Sequence, residues 1–155
     1  MAVLVTGASG LLGANLAHHL CAQGVRLRLL LRARSDRSGL RGLPYDEALG
    51  DLLDPGSLSA AMDGVEVVYH VAGLVDLNPA SEAELQKVNV EGTRNVLKAA
   101  RAAGVRRLVH VSSIVTLGHG PLNAPATEET PDNDEGNNPY RRTKREAEML
   151  ALTAN

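Results

Sequence analysis

Three glycines at positions 7, 10 and 13 stand between a short apolar run and a segment of helical periodicity, and no other feature limits the fold of this chain as tightly. The stretch reads Val3-Leu-Val-Thr-Gly-Ala-Ser-Gly-Leu-Leu-Gly13 and continues as Ala14-Asn-Leu-Ala-His-His-Leu20. Strand, tight turn and helix in that order make a phosphate cradle. Gly7 permits the sharp turn, Gly10 lets the backbone approach a pyrophosphate, and Gly13 lets the helix pack close on its strand. The helix N-terminus adds unpaired N–H groups and a partial positive charge. Glycines also mark ordinary turns, and it is the flanking strand and helix that turn the spacing into a nucleotide site.

The remaining chain repeats the alternation. Gly24 closes the first helix, and residues 25–31 read as a second strand followed by a charged turn over 32–39. Residues 45–50 form a weak third strand, and Asp54-Pro55 caps a short helix running to about Met62. Residues 65–71 give a fourth strand with Ala72-Gly73-Leu74 as its exit. Ser81-x-x-Glu84 reads as a capping box heading a long helix to about Ala103, closed by Gly104. Residues 106–113 give a fifth strand, 118–139 a loop rich in Pro, Asn and acid, and 140–153 a closing helix. Strands alternating with helices predict a doubly wound α/β Rossmann fold over residues 1–155: one parallel sheet, order 3-2-1-4-5, helices on both faces.

Composition narrows the class of partner. With 16 Lys and Arg against 18 Asp and Glu the net charge is −2, and neither sign forms a block, so a small molecule is expected rather than nucleic acid or a membrane surface. No apolar run reaches the ~20 residues that span a bilayer. The lone Cys21 is read as an apolar filler, and a chain with no possible internal disulfide suits a reducing cytoplasm. Absence of Phe and Trp leaves the core to Val, Leu, Ile and Ala. That poverty, with a closing helix that no strand follows, suggests a piece of a longer protein.

Where the second strand meets an adenosine ribose, a carboxylate would accept from the 2′-hydroxyl of NAD, whereas an arginine suits the 2′-phosphate of NADP. Arg32 occupies that place, with Arg34, Ser35 and Arg37 behind it and no carboxylate before Asp36, which favours NADP with NAD as the alternative. Arg37 and Arg41 read as a solvated loop. His70 reads as a core or edge histidine with a satisfied ring, and no second ligand stands at metal spacing. Ser112 and Ser113 end the fifth strand and are expected to reach the crevice at the carboxyl ends of the strands. Tyr140 and Lys144, spaced i and i+4, share one face of the closing helix. There the ammonium favours the phenolate, and the tyrosine can exchange a proton with a substrate hydroxyl or carbonyl.

Five ordered motifs now carry a resemblance: Thr6-Gly-Ala-Ser-Gly-Leu-Leu-Gly13, His70-Val-Ala-Gly-Leu74, Asn89-Val-Glu-Gly-Thr93, Val111-Ser-Ser-Ile-Val-Thr-Leu-Gly118 and Tyr140-Arg-Arg-Thr-Lys144. Together they resemble the extended short-chain dehydrogenases/reductases, in the branch of dihydroflavonol reductases and nucleotide-sugar epimerases. The resemblance implies NAD(P) held by Gly7, Gly10, Leu11, Leu12 and Gly13, by Arg32, by Asp51 and Leu52 beside the adenine, and by Ala72, Gly73 and Asn89. It also implies Ser113 orienting the substrate oxygen, Tyr140 as acid/base, Lys144 on the nicotinamide ribose, and both Tyr140 and Lys144 among the cofactor contacts. Thr143 stands where a serine is usual. The family's further strands and substrate domain are not in these residues. The expected substrate is a small carbonyl compound or a nucleotide sugar, and the long helix and closing helix are candidates for homodimer pairing. The alternatives are a non-catalytic dinucleotide-binding module or inactive fragment, and a domain for another nucleotide.

Overall fold

A computed structural model describes residues 2–76, 78, 81–121, 123–131, 133 and 138–154. β1 (Ala2–Thr6), buried along its whole length, is the middle of the sheet. It pairs in parallel with β2 (Arg26–Leu31) on one side and β4 (Val67–His70) on the other. β3 (Asp46–Leu49) flanks β2 and β5 (Arg107–His110) flanks β4, so the order is the expected 3-2-1-4-5 with every pairing parallel.

Alternation along the strands sorts the aliphatic residues into two layers. Val3, Val5, Leu27, Leu29 and Leu31 meet Ala14, Ala17 and Leu20 of α1 (Leu11–Ala22), and half-buried Cys21 fills in beside them. Leu4, Leu30 and Val68 face the other way, toward Leu58 of α2 (Pro55–Ala61) and toward Val96 and Ala100 of α4 (Gly92–Ala102). Alanines on α1 bring that helix close enough for a core without large aromatics to pack. β5 is the last strand in the order, and Val109 on it is 38% exposed.

Several elements depart from the sequence expectation. α1 begins at Leu11, because Gly10 takes the extended N-cap conformation and releases the next residue into the helix. The single helix expected over 82–103 is three pieces: α3 (Glu82–Leu85), a π-helical segment (Gln86–Glu91) and α4. Ser81 makes no cap; its hydroxyl instead donates to Asp76. The fifth strand stops at His110, since the chain turns away into a 3₁₀ turn at Ile114–Thr116 that Ser113 caps. The charged turn after β2 contains a 3₁₀ turn at Ser38–Leu40, drawn in by Leu40, which is buried against the α1 layer. The expected loop over 118–139 falls in part outside the described residues. α5 (Pro139–Leu152) starts with Asn138, whose side chain accepts from the backbone N–H of Tyr140 (2.9 Å) and Arg141 (3.3 Å), and with proline at the first position.

One buried polar chain crosses the sheet. The Thr93 hydroxyl donates to the Asn89 carbonyl (2.6 Å), so its oxygen is an acceptor for His70 Nε2 (3.0 Å), which must carry the ring proton. His70 is fully buried, and burial above all, with His110 and Lys144 adding to it, pushes its pKa down to about 3. The ring is therefore neutral, and bare Nδ1 accepts from the Thr6 hydroxyl (2.8 Å), whose oxygen accepts from Ala72 N–H (3.2 Å). As the sequence reading expected, both ring nitrogens are satisfied. Thr93→Val keeps the shape but leaves the Nε2 proton without an acceptor, which should cost about 1–3 kcal/mol in chemical denaturation. Nitrogen NMR of the parent chain should find His70 protonated on Nε2 alone.

Candidate active site

A cleft of about 460 Å³ opens at the carboxyl ends of β1, β2 and β4, where the strand order reverses. Its floor is the glycine turn. Gly7 has φ +72°, and a Cβ there would lie 2.6 Å from the backbone nitrogen of Ala72. A Cβ on Gly13 would run into the Gly7 carbonyl, so this glycine seats α1 on the turn itself. Gly10 differs: a Cβ there would meet only the Gly7 oxygen, at an ordinary 3.4 Å. The fold does not need a glycine at 10, and the open space above it is what a pyrophosphate requires. No side chain caps α1 and no acid stands in its first turn, so its N–H groups remain for an anion. The residues present fit a dinucleotide.

Ten of the residues expected at the cofactor line this cleft: Gly7, Gly10, Leu11, Leu12, Gly13, Arg32, Asp51, Leu52, Ala72 and Gly73. Ser35, noted behind Arg32 in the sequence, lines it too, and Ser9, Leu53, Glu84 and Val88 do so without having been foreseen. Ser9 was within reach of the sequence, as it sits inside the glycine turn. Asn89 lies just behind the lining: a Cβ on Gly73 would meet its Oδ1 at 3.4 Å, and its buried amide accepts from Leu74 N–H (2.7 Å) and donates to the Leu74 carbonyl (3.0 Å) and the Thr143 hydroxyl (3.3 Å). These bonds clamp the exit of β4 to α5.

α5 delivers Lys144 to the same exit. The side chain is buried, its ammonium donates to the Val111 carbonyl (2.8 Å), and a Cβ on Gly73 would lie 3.8 Å from Nζ. Burial lowers the Lys144 pKa, with Glu148 opposing the shift. Tyr140, one turn earlier, is 9% exposed. Ser113 is half-buried and its oxygen accepts from Val115 N–H (3.4 Å).

Two expectations fail. Ser112 does not reach the cleft; it lines a separate groove of about 610 Å³ beside β5, together with Leu108 and His110. Past the strand the side chains still alternate, and Ser112 falls on the side of 108 and 110. Arg37 is not a free charge on a solvated loop: about one-third exposed, its guanidinium grips Glu47 through Nε (3.0 Å) and Nη2 (2.8 Å) and donates to the Ser35 carbonyl (2.8 Å). Arg41 is exposed, as expected.

Residues 3–155 match the NAD dependent epimerase/dehydratase family. The chain belongs to that family. Among its relatives, the sterol demethylase protein B of Methylococcus capsulatus is 44% identical over 93% of this chain and 44% of its own length. A putative dihydroflavonol 4-reductase of Synechocystis is 43% identical over 74% of this chain and 33% of its own length. The crystal structure of the Bordetella bronchiseptica enzyme WbmG, in complex with NAD and UDP, superposes with a TM-score of 0.82 at 29% identity, covering 97% of this chain and 49% of that one. The chain thus spans less than half the length of these relatives. In this epimerase/dehydratase chain no described helix is long and apolar enough to cross a membrane, and the described residues hold no group of three metal-ligating side chains.

Two predictions follow the geometry. Gly10→Ala should leave the melting temperature within a few degrees of the parent and weaken dinucleotide binding. Gly13→Ala, forced against the Gly7 carbonyl, should lose about 1–3 kcal/mol of stability. The second concerns pH. His110, whose ring nitrogens find no partner among the described residues, is pushed down to about 4 by burial and then by Lys144, and its ring centroid lies 5.3 Å from that of His70. Both rings are neutral when folded and take up protons below 6.5 when unfolded. Their contribution is complete above 6.5 and is lost as the pH falls through about 4 for His110 and about 3 for His70, with a slope of up to about 1.4 kcal/mol per pH unit for each ring. Urea denaturation at a series of pH values checks this, and His110→Leu should flatten the curve.

Proposed function

We propose that these residues are the dinucleotide-binding and proton-handling part of an NADP-preferring oxidoreductase acting at a carbonyl or hydroxyl carbon of a small molecule. The observation that carries the reading is the approach of Lys144 to the cleft wall: from behind the lining its buried ammonium reaches the exit of β4, 3.8 Å from where a Cβ on Gly73 would lie, and Tyr140 precedes it by one turn of α5. The bound cofactor supplies or takes the hydride. Gly7, Gly10 and Gly13 shape the turn against which its pyrophosphate rests, with the N–H groups of α1 as donors. Arg32, exposed at the cleft mouth, takes the 2′-phosphate; Asp51 and Leu52 flank the adenine; Leu11, Leu12, Ala72 and Gly73 line the path between.

Ser113 orients the substrate oxygen, and the Tyr140 hydroxyl gives it a proton in reduction or takes one in oxidation. Lys144 holds the nicotinamide ribose. Asn89 contributes by fixing the exit of β4 and α5 relative to each other. Reduction is the preferred reading because a relative 43% identical to this chain is named as a putative dihydroflavonol 4-reductase. Epimerisation of a nucleotide sugar is the second reading, supported by UDP beside NAD in the WbmG structure.

Titration with NADPH and NADH, followed by nicotinamide fluorescence and thermal melting, should show tighter binding of NADPH and a raised melting temperature. With a carbonyl substrate, Tyr140→Phe should lower turnover about 10²–10⁴-fold while cofactor affinity holds. Binding without turnover in the parent chain would favour a non-catalytic dinucleotide module.

A further inference from the structure

The turn between β2 and β3 is built around Arg37. Arg32 N–H donates to Ser35 Oγ (3.0 Å) and Ser35 N–H to the Arg32 carbonyl (2.9 Å), closing a tight turn whose Arg32 and Ser35 side chains line the cleft. Arg37 holds this turn from behind. One arm of its guanidinium donates to the Ser35 carbonyl (2.8 Å) and reaches the Ala33 carbonyl (3.5 Å). Its other two donors form a bidentate pair with Glu47. Glu47 lies in β3, in register with Leu29 of β2, so the turn is tied to the sheet and not merely to solvent. The neighbouring acid, Asp36, is engaged by Ser38 through N–H (2.8 Å) and hydroxyl (2.7 Å).

We propose that Arg37 and Glu47 are positioning residues for cofactor choice, fixing the turn that presents Arg32 and Ser35 to the 2′ position of the adenosine ribose. This rests on the reading of Arg32 as the 2′-phosphate ligand. The pair is about one-third exposed on each side and contributes little to stability, so its variants fold. Its work is geometric. The planar guanidinium fork reaches a carboxylate and a backbone carbonyl at once, which an ammonium on a flexible stem does not.

The measurement is the ratio of NADH to NADPH dissociation constants for the chain, with a melting curve for each variant. Arg32→Ala should collapse the ratio. Arg37→Lys and Glu47→Gln should each lower it about two- to tenfold, the span a lost hydrogen bond produces. In the Arg32→Ala background neither change should lower it further.

The sign at Glu47 separates positioning from bulk charge. Removing a negative charge near a phosphate would raise NADPH preference if charge alone mattered, whereas loss of the clamp lowers it. Likewise Arg37→Lys keeps the charge and should still lose preference. An unchanged ratio in both variants, or a raised one in Glu47→Gln, overturns the inference while Arg32→Ala still supports the 2′-phosphate reading. An unchanged ratio in Arg32→Ala, or no binding of either cofactor, overturns that reading and the inference with it.

Discussion

The approach of Gly7 to the backbone of Ala72 is the constraint on which the rest of the structure depends. With φ at +72° and no side chain, the exit of β1 lies flush against the exit of β4, closer than any Cβ would allow. From this contact the chain leaves toward α1 on one side of the sheet, while the chain after β4 leaves toward the other. The cleft is the gap between those departures. A larger residue at position 7 would fill its floor before any ligand arrived.

Behind that floor the molecule replaces apolar packing with a line of hydroxyls and one imidazole. Thr6, His70, Thr93 and the Asn89 carbonyl run from the glycine turn to the helix on the far face, each donor matched to one acceptor. A neutral ring with a fixed proton is the only state that satisfies every member, and burial enforces that state. Asn89 then extends the connection to α5 through Thr143. The helix carrying Tyr140 and Lys144 is therefore located by hydrogen bonds as well as by its alanine and aliphatic contacts.

What the sequence made legible was local. The glycine turn, the apolar strands and the Asp54 cap, whose carboxylate accepts from Gly56 N–H (2.9 Å) and Ser57 N–H (3.3 Å), each announce themselves within a few residues. Ser81-x-x-Glu84 carries an equally good capping signature and makes no cap, because the Ser81 backbone is not extended there and its hydroxyl finds Asp76. Ser112 and Ser113 are indistinguishable as letters; where the fifth strand stops decides which of them turns toward the groove. Arg37 reads as one more solvated charge because its partner Glu47 is ten residues away on β3, and although the pattern places that strand over 45–50 it does not say which side chain of the turn will reach it. The tautomer of His70 depends on residues 64 and 23 positions distant, which no local signal carries.

The π-helical segment Gln86–Glu91 sits between α3 and α4 and contains Asn89. A wide turn of this kind accommodates one residue more than an α-helix would over the same rise. The wide turn absorbs that residue, so α3 and α4 keep nearly the relation that an unbroken helix one residue shorter would give them. Loss of one residue here should therefore be borne better than loss of one from α4, where ordinary helix would carry the change onward as a rotation of about 100°.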